Sequence, residues 1–114
     1  MEWVGMLRSW LVGPNLLAVA EEIAAQRRSD VWQRVQHRVG NMTLAEARGY
    51  VRVKATHMVA AAVQRRVQSD AAIGSDAAAH LKQLTMDAVL QQAVVDIMRA
   101  RQSTPAEPAY RRAA

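Results

Sequence analysis

Apolar residues recur at helical spacing along most of the chain, and four helical segments follow from that pattern. Trp3, Leu7, Trp10 and Leu11 fall three and four positions apart, which predicts a short helix over 2–12 that Gly13-Pro14 stops. Asn15 is then the N-cap of a second helix over about 15–39, closed by Gly40-Asn41. Thr43 opens a third helix over about 43–69, and Gly74-Ser75 precede a fourth over about 76–102. The stretch from Ser103 to Ala114 holds two prolines and no period, so a disordered C-terminal tail is expected. The chain is therefore read as all-α: a helical hairpin or bundle of three long helices plus a short N-terminal one, in a single domain over 1–102.

The same periodicity assigns faces. Leu44, Ala47, Val51, Ala55, Met58 and Ala62 form the stripe of the third helix, with Tyr50 and His57 opposite it and expected at the surface. In the second helix Leu16, Val19, Ala20 and Ile23 share one direction, while Val31, Trp32, Val35 and Val39 centre roughly a quarter turn away at ~100° per residue. One straight helix cannot present both halves to one neighbour. A continuous but distorted helix is expected, with Ser29-Asp30 as the place for a bend.

The fourth helix is apolar on two sides. Leu81, Leu84, Ala88 and Val95 cluster on one, and Met86, Leu90, Ala93, Val94 and Ile97 on the other. A helix of this kind must be sandwiched. Either the short N-terminal helix or a second copy must cover the second face; a homo-oligomer, with a dimer favoured, is expected through Met86, Leu90, Ala93, Val94 and Ile97, because a two-fold interface lets one stripe complement itself.

The stretch GNMTLAEARGYVR, from Gly40 to Arg52, carries most of the local punctuation. Thr43 and Glu46 have the T-x-x-E spacing of a capping box, in which each side chain satisfies a free N–H of the other's backbone. Gly49 is out of place, since glycine inside a helix costs about 1 kcal/mol against alanine. Close approach of another backbone would explain it.

Composition removes several function classes. The 114 residues contain no cysteine, which excludes disulfides, thiol nucleophiles and cysteine-ligated metals. Hydrophobic residues make up 51%, but much of this is alanine and there is no phenylalanine, so the core is expected to be thin and built at close helix approach. The N-terminus lacks the basic start and clean apolar run of a signal peptide, and no stretch approaches the ~20 apolar residues of a membrane span. A soluble, cytoplasmic protein is expected. The histidines His37, His57 and His80 have no Glu-x-x-His partner, and Asp76 with His80 makes half a metal site without a second pair. Glycine-rich phosphate loops and nucleophile motifs are absent. The expectation is therefore no enzyme, no cofactor and no metal.

Charge changes the picture. The net charge is +5, but between Arg27 and Arg66 nine basic residues face only Asp30 and Glu46, while the remainder carries six bases and eight acids. Thirteen of the fifteen basic residues are arginine, a bias expected of a GC-rich genome. A hairpin of the second and third helices would bring Arg34 and Arg38 near Arg48 and Arg52 across its turn. Such a face could neutralise phosphates without reading bases. Two functions are thus expected: a small oligomerising or protein-interaction module, and, as the alternative, a non-sequence-specific nucleic-acid-binding protein. The basic face could equally meet an acidic protein surface.

Overall fold

A computed structural model describes residues 15–103. These form α1 (Leu16–Val35), α2 (Leu44–Ser69) and α3 (Ala78–Ser103), with single 3-10 turns at Val39–Asn41 and Ser75–Ala77. No strand occurs among the described residues. The fold is all-α, as expected. The expected helix over 2–12, with Trp3 and Trp10, and the expected tail beyond Ser103 lie outside the described residues.

Helix starts follow local chemistry. The Asn15 side chain accepts from the backbone N–H groups of Leu17 and Ala18, satisfying donors that a helix start leaves free. At α2 the capping box is complete: Glu46 N–H donates to Thr43 Oγ1 at 3.1 Å, and Thr43 N–H donates to Glu46 Oε1 at 2.9 Å. The start of α3 has no such device on Ser75, where a cap was expected, because the chain enters through a 3-10 turn without a side-chain cap.

Two boundaries differ from expectation. α1 ends at Val35 rather than near 39, and Gly40 and Asn41 belong to a 3-10 turn rather than a left-handed cap. No described residue has positive φ. At the stop the Val35 carbonyl accepts from Arg38 N–H, three residues on, at 3.0 Å. Val39 is 2% exposed and so tucks inward, while Arg101 Nη2, from the end of α3, donates to the carbonyl oxygens of Val39 and Met42. Arg101 thus ties the turn to the end of α3, while the Val39 carbonyl also accepts from Met42 N–H at 3.2 Å.

α1 is continuous through Ser29-Asp30. Its two apolar halves are both used: Val19, Ala20, Ile23 and Ala24 are buried in one, Val31 and Val35 in the other. α3 packs along both α1 and α2, whereas α1 and α2 touch each other least. This explains the doubly apolar α3, which lies in the groove its two neighbours form and needs a face for each.

The expected dimer residues are corrected accordingly. Met86, Leu90, Ala93 and Ile97 are buried in the chain's own core, Leu90 completely, and Val94 is half-buried. The sandwich for which a second copy was expected is supplied by α1 and α2. The large apolar side chains that α3 leaves outside are Val95 and Met98.

The core is made of small side chains, as expected, with Leu81, Leu90 and Ile97 the largest that are fully enclosed. On α2 the buried set is Ala47, Val51, Ala55, Val59, Ala62 and Val63, so Val59 and Val63 join the expected stripe. Leu44 is 38% exposed and Met58 is half-buried. Tyr50, expected at the surface, is half-buried against the core, with Lys54 Nζ 5.5 Å from its ring centre, whereas His57 is exposed. Gly49 serves no close approach among the described residues: a Cβ there would meet none of them within 4 Å.

Candidate anion-binding seam

Arg27 and Arg34 stand seven residues apart on α1, so at ~100° per residue they lie within about 20° of one another, while Arg38 follows the helix end and precedes the 3-10 turn. Arg27 borders a hollow of 270 Å³ shared with Ala62, Arg65 and Arg66 of α2. On α2, Arg48 precedes Arg66 by 18 residues and Arg52 by 14, which puts these three within about 40° of one direction. Arg66 reaches over to Glu22 of α1 at 2.7 Å. Arg27, Arg65 and Arg66 thus stand at the α1–α2 seam, at its end remote from the turn.

The two ends of the seam differ in electrostatic compensation. At the end remote from the turn, Arg66 is paired with Glu22 and lies 3.7 Å from Asp70, and Arg27 reaches Asp30 at 3.5 Å. The Arg66 guanidinium holds the Glu22 carboxyl below its ordinary value, first by the hydrogen bond and then by its charge. Glu22 in turn raises the pKa of Arg66. Even here one donor is left over, for Arg27 Nε is buried with no hydrogen-bond partner among the described residues.

At the turn end Glu46, which caps α2, is the one carboxylate in residues 31–52. Arg34, Arg38, Arg48 and Arg52 are all exposed, and their guanidinium groups make no hydrogen bond or ion pair with a described residue. The turn holding the α1 row in place is the one that Arg101 clamps from α3. Charges left uncompensated on one face attract an anion rather than stabilise the fold. Arg65 and Arg66 add to the four arginines expected from sequence. Their signal was present in the spacing, since Arg66 shares the direction of Arg48 and Arg52.

Other chemistry is sparse. Among the described residues no group of three or more His, Asp or Glu could hold a metal ion. Asp76 lies in the 3-10 turn and His80 in the first turn of α3, both exposed. No described helix is long and apolar enough to cross a membrane. The seam carries guanidinium groups and no carboxylate or imidazole poised against a nucleophile, an arrangement suited to holding anions by charge and forked hydrogen bonds. No protein-family model matches the chain, and neither a curated protein nor a solved structure does.

Proposed function

We propose that the protein is a non-catalytic binding module that grips the phosphate backbone of nucleic acid along the α1–α2 seam, without reading sequence. The observation that supports this reading is the set of four exposed arginines without ion-pair partners among the described residues, Arg34, Arg38, Arg48 and Arg52, near the turn that joins α1 and α2. The α2 row from Arg48 to Arg66 extends about 27 Å at 1.5 Å per residue. A duplex presents about one negative charge per 1.7 Å of its axis, so an elongated array of cations fits a linear polyanion better than a compact one.

Base reading is not expected. The two helices are 20 and 26 residues long, unlike the short elements that deliver a recognition helix to the major groove. Contacts to phosphate position a protein on nucleic acid but carry no sequence information. A labelled duplex titrated at low salt and followed by fluorescence anisotropy tests the reading. Binding that weakens steeply with salt and is shared by unrelated sequences is expected; no binding to duplex DNA or RNA overturns it.

A further inference from the structure

A second face, on the opposite side of α1, has a different character. An open groove runs between α1 and α3, lined by Ala25, Arg28 and Trp32 on one side and Asp96, Arg99 and Gln102 on the other. Val95 and Met98, 41% and 46% exposed, are the large apolar side chains that α3 leaves in solvent nearby. Trp32 is half-buried and packs against the core. At ~100° per residue Trp32 stands about 160° around α1 from Arg34, so the groove and the arginine seam do not overlap.

The charges on this face cancel. Arg28 and Asp96 neutralise each other through a forked pair, with Nη2 2.7 Å from Oδ1 and Nε 3.0 Å from Oδ2. Two charges remain: Glu21, one turn before Ala25, and Arg99, one turn after Val95. Both are exposed, and neither has an ion-pair partner among the described residues. Because Arg28 and Asp96 set the level of α3 against α1, Arg99 stands ten residues, or about 15 Å, further along the bundle than Glu21.

We propose that this α1–α3 face pairs with the same face of a second copy of the chain. Opposite charges separated on one face are self-complementary: a two-fold axis in the plane of the face, crossing the Glu21–Arg99 line at its midpoint and perpendicular to it, brings Glu21 against Arg99 of the other copy, and the reverse. Ala25 and Val95 flank that midpoint, and the Arg28–Asp96 pair, which carries no net charge, lies about two residues beyond it, so the unpaired charges lie at the outer ends of the contact. The occupant follows from charge. With a net +5 concentrated on the arginine seam, two copies repel at that seam, and only a face whose own charges compensate can meet its like. An acidic or a basic partner would find no excess of opposite charge here. The pairing leaves both arginine seams open and does not depend on what they bind.

The test is the mass in solution, by sedimentation equilibrium over a range of concentrations, of the wild-type chain, Glu21→Arg, Arg99→Glu and the double variant. The expected result is a wild-type dimer at micromolar concentration, weakened about tenfold or more by each single reversal and restored by the double swap. Both side chains are exposed, and circular dichroism melts verify that the variants fold. A wild-type chain that stays monomeric overturns the proposal. So does a dimer indifferent to both reversals, or one that the double swap fails to restore.

Discussion

Arg28 and Asp96, 68 positions apart in sequence, meet through a two-pronged ion pair that ties α1 to α3. The Arg28 and Asp96 side chains are 38% and 19% exposed, so solvent screens part of the interaction. Their geometry is nonetheless the forked one that makes arginine–carboxylate pairs specific. Asp96→Asn is expected to lower unfolding stability by about 1 kcal/mol, and a double-mutant cycle with Arg28→Gln should recover most of that as coupling. Urea denaturation checks it; additive losses would mean that the pair contributes only packing.

Leu90 distinguishes a core helix from an interface helix. It is fully enclosed within one chain, so Leu90→Ala should cost about 2–5 kcal/mol through reduced burial and the cavity left behind. The loss should be independent of protein concentration. A midpoint of unfolding that varies with concentration only in the wild type would instead place Leu90 between copies.

Gly49 offers a gain. It sits in an exposed helical position with open space where a Cβ would go. Gly49→Ala should therefore stabilise the protein by about 1 kcal/mol, seen as a higher thermal midpoint. A lower midpoint would show that the glycine is needed for a close approach after all.

Much of the fold was legible because its determinants are local. Thr43 and Glu46 lie three residues apart, and their mutual hydrogen bonds need nothing else in the chain, so the start of α2 could be read directly. The end of α1 could not, since Gln36 to Arg38 include no helix breaker, and the inward tuck of Val39 and the hold of Arg101 on the turn involve the far end of α3. A helical wheel shows that Leu90 and Ile97 are apolar but not which neighbour covers them; that depends on α3 lying between α1 and α2. Val59 and Val63 were missed for a related reason, because a helix that meets two neighbours buries a wider arc than one stripe. The arginine rows were visible as spacing. That Arg66 and Arg27 meet the facing helix became clear only through two contacts, Arg66 with Glu22 and Arg27 at the hollow beside Ala62.

Acid should weaken the link between α1 and α2. Arg66 lowers the pKa of Glu22, so the folded state binds that proton less readily than the unfolded state. The stabilisation is present above the ordinary glutamate value of about 4.3 and is lost as pH falls through the lower folded value. Glu22→Gln should remove this part of the acid dependence while leaving the rest, as followed by chemical denaturation between neutral and acidic pH. An unchanged pH profile would show that the pair does not act in solution.

If Arg34, Arg38, Arg48 and Arg52 hold phosphates, the salt dependence of duplex binding must register them. Each phosphate that is no longer neutralised should make the slope of log K against log salt shallower by about 0.9. Replacing the four arginines together with glutamine should therefore flatten the slope by about 3 to 4, whereas Lys82→Gln, at the start of α3, should leave it unchanged. That difference is expected on unrelated duplex sequences alike. A slope that is the same in the wild type and the fourfold variant would mean that these arginines do not grip phosphate.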